Sequence, residues 1–394
     1  MGLRRYRELL SIPGVAPLLL GAFVARLPYG VFSLALILLL RAEGFGYGEI
    51  GIVAAASGLA VGVSAPIFGR LIDRVGQTRV LLSTAALGAV AEVALVVAAL
   101  AGGGTVLLAL LALAGGLTVP PVSSSLRTLL PGLVGRDRLD RAFAFDALQI
   151  EAVFIAGPLL AAAIATVVSP AAAVLTAAAM QTVGALGVAA SPASRRWRPA
   201  ERTAGTVRAG ALSNRGLRTL VLALAITSTA LGVLEIGIPA FAEREGSRSD
   251  AGWLFALLGA GSLLGGLWYG ARQWRSATSR RFFVVAAVLA LGLAPLPFAG
   301  SLTAFAVLIP IAGLGLAPST AACYVLVGEL APEGALTEAY AWQIVAYVSG
   351  SAVGAWVAGM LVEEVGVTAA LACAPAAAAL GLLVAVVGRR SLTP

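Results

Sequence analysis

The sequence predicts an all-α integral membrane fold: twelve transmembrane helices in two pseudo-symmetric six-helix bundles. Three observations predict it. Of 394 residues, 59% are hydrophobic and mean hydropathy is +0.96, more apolar surface than a water-soluble domain of this length buries. That surface falls into about twelve stretches separated by short loops, each reaching the roughly 20 residues that cross about 30 Å of hydrocarbon. The arginines then sort onto alternate loops, as expected for a chain threaded back and forth through a bilayer.

The stretches run at 13–41, 47–70, 79–101, 105–129, 142–168 and 171–191, then 215–241, 250–272, 280–300, 302–329, 338–364 and 367–388. Arg4, Arg5 and Arg7 before an apolar run resemble a signal peptide. The run continues to Leu40 with no small-residue cleavage site, so it reads as a retained first span. The longest polar stretch, 192–214, divides the chain into an N-terminal bundle (1–191), a cytoplasmic linker and a C-terminal bundle (215–394).

All 27 basic residues are arginine. With Met1 inside, nearly all lie on inner loops; only Arg41, Arg244 and Arg248 face outside, and Arg26 lies within a span. This positive-inside pattern predicts a multi-pass protein of the cytoplasmic membrane with both termini cytoplasmic. The net charge of +8 is therefore an orientation signal that also favours anionic lipid, and no nucleic-acid partner is expected.

The chain has no lysine and no histidine. It has no phosphate-cradling Gly-x-x-x-x-Gly-Lys loop, so energy for pumping has to come from a gradient. Histidine metal ligands and a Ser-His-Asp triad are excluded, Cys323 and Cys373 form no disulfide or metal pattern, and no cofactor is expected.

The halves repeat. Ala142-Phe143-Ala144-Phe145 opens the fifth span and Ala339-Tyr340-Ala341-Trp342 the eleventh, 197 positions later; Pro121 matches Pro318 and Gly157 matches Gly354 at that offset. The segment Gly69-Arg70-Leu71-Ile72-Asp73-Arg74-Val75-Gly76-Gln77-Thr78-Arg79 has a counterpart after span eight that keeps Gly270, Arg275 and Arg280 but has Trp274 in place of Asp73. Repeats of this kind mark secondary transporters, with the substrate held between the halves near the midplane.

In span count, 6+6 division and linker position, the whole chain resembles the major facilitator superfamily, in particular its drug-efflux-like twelve-helix members. Segment 69–79 looks like that family's signature loop between helices two and three. The resemblance implies a gating role for Gly69, Asp73, Arg74, Gly76 and Arg79, with Asp73 meeting the start of helix eleven in the outward-facing state. Gly157-Pro158, followed by Ala161 and Ala162, resembles a degraded Gly-Pro motif of proton-coupled antiporters, with alanines where the family has glycines.

Charges within a bilayer cost roughly 2.5–3.5 kcal/mol each, so each needs a reason. Arg26 lies mid-span with Tyr29 and Ser33 on the same face; it reads either as a substrate contact or counter-charge, or as half of a fixed pair. Glu151 lies about 14 Å into span five. Because helices one and five are neighbours in the family, an Arg26–Glu151 pair is expected, with Glu151 the first candidate for coupling and a permanent structural pair the alternative. Asp146, one turn from the cytoplasmic end, reads as a gate or structural pair with Arg127 or Arg141. Glu92 reads as a structural acid on a supporting helix. Glu235 reads as part of an outer gate or as a solvated surface acid. Tyr340, Gln343, Tyr347 and Ser351 form one polar stripe on span eleven, with Gln343 and Tyr347 the deeper, substrate-facing members.

The resulting expectation is a non-enzymatic secondary transporter, a monomer in membrane lipid. It exports small amphipathic compounds by alternating access in exchange for protons. The alternatives are an uptake permease for a sugar or organic anion and, from another class, a lipid flippase or membrane enzyme.

Overall fold

The computed structural model describes residues 8–135, 139–197, 210–246, 248–271, 274, 276–332 and 336–392, and some side chains within helices lie outside that set. The described residues contain no strand. Twelve long helical rods are present among the described residues. In the first half α1 comes in two pieces (Val15–Arg26 and Pro28–Ala42). It is followed by α2 (Tyr47–Val75), α3 (Gln77–Leu100), α4 in two pieces (Thr105–Leu117 and Val122–Val134), α5 (Leu139–Val167) and α6 (Pro170–Ala190). The second half comprises α7 (Arg215–Arg244), α8 (Ala251–Ala271), α9 (Thr278–Leu293), α10 in two pieces (Leu302–Gly313 and Leu316–Leu330), α11 (Leu336–Glu364) and α12 (Val367–Val387). By length and apolarity eleven of the rods qualify as membrane spans among the described residues; in α5 the apolar part is Ala152–Val167.

Local sequence sets the ends and the breaks. Ser169, Ser301 and Asn214 cap α6, α10 and α7 by accepting the backbone N–H three residues on. Proline has no N–H to donate. At Pro28, Leu27 keeps helical dihedrals (φ −48°, ψ −39°), so α1 loses a hydrogen bond without losing its direction. Pro120 and Pro121 together open α4 at mid-span. Pro239 and Pro310 stay inside their helices.

The expected loop 69–79 is almost absent. Helix α2 runs to Val75, α3 starts at Gln77, and the turn is made by Gly76 alone at φ 92°, a conformation open to glycine.

The same neighbours pack in both halves. Helix α1 lies on α5 and α6 as α7 lies on α11 and α12, and α2 lies on α4 as α8 lies on α10. The halves join along α2–α11 and α5–α8, the same pairing taken twice.

Both joints rest on close backbone approach at glycine, the device membrane helices use where lipid supplies no hydrophobic drive. A Cβ at Gly51 would stand 2.8 Å from the Ala355 carbonyl oxygen, and one at Gly252 2.8 Å from the Pro158 carbonyl oxygen. The α2–α11 joint extends from Gly46 and Gly48, beside Glu363, to Gly62 beside Val348. It therefore occupies the end of the molecule opposite the termini. Toward the termini end, Tyr29, Arg127, Tyr324 and Tyr347 are exposed, so the halves are closed at the far end and part toward the termini.

Candidate functional site

Helix α1 brings Arg26 to the centre of the first half at the break that Pro28 makes. Arg26 is fully buried. Its Nη1 donates to Asp146 Oδ1 at 2.5 Å and its Nε to Ser123 Oγ at 3.0 Å. Helix α4 supplies Ser123 and, one turn on, Arg127, whose Nε donates to the other oxygen of Asp146 at 3.2 Å. Asp146 is buried, whereas the Arg127 side chain is 57% exposed. Three helices thus share one carboxylate between two guanidiniums, leaving one positive charge beside the cleft. The second Nη of Arg26 is buried with no hydrogen-bond partner among the described residues. Removing one partner of such a pair typically costs about 3–5 kcal/mol, because the other charge stays buried.

The opposite wall is aromatic. Tyr324 on α10 and Tyr340 on α11 stand 6.0 Å apart by ring centroid, and Tyr340 donates to the Tyr324 carbonyl at 3.3 Å. Arg127 acts electrostatically on Tyr29 in its own half and on Tyr324 across the gap. Deeper in, Ser33 on α1 donates to Glu235 on α7, a hydrogen bond between the halves, and Glu235 in turn lies in the electrostatic reach of Tyr347.

Beyond this floor the far end is latched. Arg41 donates from Nε and Nη2 to the two oxygens of Glu243 at 3.0 and 2.6 Å, and Tyr47 donates to Glu243 at 2.7 Å. The Arg41 guanidinium also lies over the Tyr47 ring at 4.7 Å, a cation–π contact.

A sequence model described as the Major Facilitator Superfamily matches residues 18–272. The chain belongs to the Major Facilitator Superfamily.

Solved structures agree on the fold. A bacterial homologue of the iron transporter ferroportin in an inward-facing state is 17% identical at a TM-score of 0.74, covering 95% of this chain and 98% of that one. The nucleoside transporter NupG is 14% identical at 0.71, with 95% and 98% covered. The human organic anion transporter MFSD10 is 15% identical at 0.67, with 96% and 99% covered. At these identities the likeness is one of fold. No curated protein matches the chain in sequence. The Major Facilitator Superfamily is a family of transporters, not enzymes, and its multi-pass membrane character matches the apolar helices found here.

Within this transporter fold the predicted residues separate into groups. The carboxylate partner of Arg26 is Asp146, which corrects the expected pairing with Glu151. Asp146 lies five residues before Glu151 on α5, nearer the termini end. Glu151 lies on α5, but its side chain is outside the described residues, as are those of Asp73 and Arg74 and the surroundings of Gly69. Arg79 is exposed and makes no hydrogen bond or ion pair among the described residues.

Glu235 is half-buried at the joint between halves, not a solvated surface acid. Glu92 is buried, with Gln181 on α6 donating to it at 3.4 Å, away from the cleft. Gln343 is buried and its Oε1 has no partner, whereas Tyr347 is 42% exposed.

Sequence reasoning counted Arg41 only as a topology marker and passed over Glu243 and Tyr47. Their signal was positional: Arg41 and Glu243 end the first helix of each half, where an opposite-charge pair ties the two together.

Proposed function

We propose that the protein is a secondary transporter that works by alternating access and exports small amphipathic compounds across the cytoplasmic membrane in exchange for protons. The observation that carries this reading is the cleft itself. It opens toward the termini, has one shared-charge cluster on one wall and tyrosines on the other, and is shut at the far end by contacts that all cross between the halves. Such a lining suits a flat, partly apolar guest, stacked on Tyr29, Tyr324 and Tyr347 and oriented by Arg127. With the termini in the cytoplasm, as the arginine distribution requires, this is a cytoplasm-open state of a monomer, ready to load cargo for export.

Glu235 is the residue whose surroundings change when the halves move, since its Ser33 hydrogen bond joins α1 to α7. We assign it, together with Glu151 at mid-depth of α5, to proton coupling. Asp73, at the turn between α2 and α3, would meet α11 when the termini end closes, where a carboxylate at a helix N-terminus gains roughly 0.3–1 kcal/mol.

The test is transport of a fluorescent amphipathic compound in proteoliposomes with an imposed pH gradient. Export reading: uptake into vesicles of inverted orientation rises with an acid interior, and Glu235→Gln or Glu151→Gln removes the dependence on the gradient. Transport that ignores the gradient in the native protein refutes proton exchange.

A second reading, an organic-anion permease, is favoured by one observation: the buried second Nη of Arg26 has no partner while Arg127 is exposed beside it. Competition by simple carboxylates and none by neutral amphiphiles would favour that reading over export of amphiphiles.

A further inference from the structure

The turn between α8 and α9 copies the position of the turn between α2 and α3 but not its chemistry. Where the first copy has Asp73, the second has Trp274. That indole donates to the Tyr269 carbonyl at 2.9 Å and packs on two rings, Tyr269 with centroids 5.0 Å away and Trp268 at 5.6 Å. The aromatic cluster forms one wall of a groove between α8, α9 and α10 at the termini end. Val284, Val288 and Leu314 line its length, and Arg280 and Arg281 stand at its mouth.

The two arginines differ. Arg280 is exposed and makes no hydrogen bond or ion pair among the described residues. Arg281 donates through Nη2 to Thr278 Oγ1 at 2.7 Å, and its Nε is buried without a partner. Glu329 accepts from Thr278 at 2.5 Å and does not line the groove. The groove is thus apolar along its depth and cationic at one end only. It lies on α8, α9 and α10 of the second half and shares no lining residue with the glycine contacts of the α2–α11 and α5–α8 joints.

We infer that this groove binds an anionic glycerophospholipid, with its phosphodiester on Arg280 and Arg281 and an acyl chain laid along Val284, Val288 and Leu314 against the Trp268–Trp274 wall. A free phosphate would use the arginines and leave the groove empty. A zwitterionic lipid would fill the groove but bring its own headgroup cation beside the two guanidiniums, cancelling the attraction. An anionic lipid satisfies both ends, and guanidinium suits the phosphate oxygens as a planar two-point donor. Trp274 takes the place of a switching acid with a fixed aromatic anchor of the kind found at membrane interfaces. The second turn then serves as a lipid-held base, while the first serves the moving gate. The inference does not depend on the transported substrate or its direction.

The experiment is native mass spectrometry of the full-length protein released from neutral detergent with equimolar phosphatidylglycerol and phosphatidylcholine, paired with thermal melting. Retained phosphatidylglycerol should exceed phosphatidylcholine by about fivefold per arginine, so about 25-fold for the pair. The R280Q/R281Q double variant should lose that preference, and R389Q/R390Q, which removes two arginines elsewhere at the same end, should keep it. Arg280 touches no other described polar group, so R280Q alone reads the effect, at about fivefold, if the double variant melts early.

Equal retention of the two lipids, or a preference that survives R280Q, overturns the inference. So does inorganic phosphate raising the melting temperature as much as phosphatidylglycerol does, which would make this an ion site. A dimer that phosphatidylglycerol does not displace would overturn it too, since a second copy would then cover the groove.

Discussion

The two halves place different chemistry at matching positions. At the 197-residue offset that superposes Ala142–Phe145 on Ala339–Trp342, Arg127 corresponds to Tyr324 and Asp146 to Gln343. In the first half these positions form an ion pair completed by the buried Arg26. In the second half an exposed tyrosine and a buried glutamine share no hydrogen bond among the described residues, and the Gln343 Oε1 is left without a partner. The backbone scaffold is duplicated, with the same helices packed as neighbours, but the charge is held by one copy alone. A charged wall facing a neutral one can close on a guest without bringing like charges together. A duplicated pair would meet its own image.

The sharpest way to break this comparison is to remove the shared carboxylate. Asp146→Ala leaves Arg26 buried with no counter-charge, and the loss should be about 3–5 kcal/mol. Gln343→Ala removes a side chain whose acceptor is already unpaired, and should cost no more than about 1 kcal/mol. Thermal melting of the two purified variants reads the difference directly. If they lose equal stability, the ion network is not what distinguishes the halves. The double change Arg26→Met with Asp146→Leu should recover most of the stability and none of the transport, separating the network's structural role from its role in the cleft.

A second test bears on the joints, which use both halves equally. Gly359 packs on Tyr47 and Gly51, and a side chain there would meet the Tyr47 carbonyl. Gly359→Leu overpacks the closed far end by roughly 1–3 kcal/mol. That shifts the balance between the two open states by about 5- to 150-fold, a typical range for a coupled equilibrium. Spin labels at Glu43→Cys and Glu245→Cys, on the two far-end loops, should move apart. An unchanged distance would show that the joint has room to spare.

How much of this was legible beforehand follows from which interactions are local. Span positions depend on hydropathy and on residue order, and the apolar helices fall where the stretches lie. Partner choice was not legible. Arg26 can reach an acid on a neighbouring helix, and which of two acids five residues apart faces it depends on helical phase, which hydropathy does not fix. Glu235 read as near-surface by its position in α7 and became an interface residue only because α1 presents Ser33 to it. The far-end latch needed the same tertiary information, since Arg41, Tyr47 and Glu243 come together from three helices.

That latch gives a smaller expected effect. Both partners keep about a quarter of their side-chain surface exposed, at 22% and 24%, so water and salt screen the pair, and an exposed pair is worth roughly 0.2–1 kcal/mol. Arg41→Gln should therefore widen the far-end distance distribution modestly, by no more than about fivefold in the open population. The swap Arg41→Glu with Glu243→Arg should restore it. A larger response than that of Gly359→Leu would mean that charge, and not backbone contact, holds the far end closed.

The smallest effect belongs to the acid that lies outside the cleft. Glu92 on α3 is buried, and its one described hydrogen bond comes from Gln181 on α6, within the same half, at a long 3.4 Å. Its other oxygen has no partner. Glu92→Gln keeps the shape and a polar group opposite Gln181 while removing a charge that nothing nearby balances, so stability should change by less than about 1 kcal/mol or rise slightly. Neither the rate of transport nor its dependence on the pH gradient should move, because α3 touches neither joint. Gradient-driven transport in proteoliposomes reads this against Glu235→Gln in the same preparation. A loss of coupling in the Glu92 variant would move proton handling from the boundary between the halves to the supporting layer of one of them.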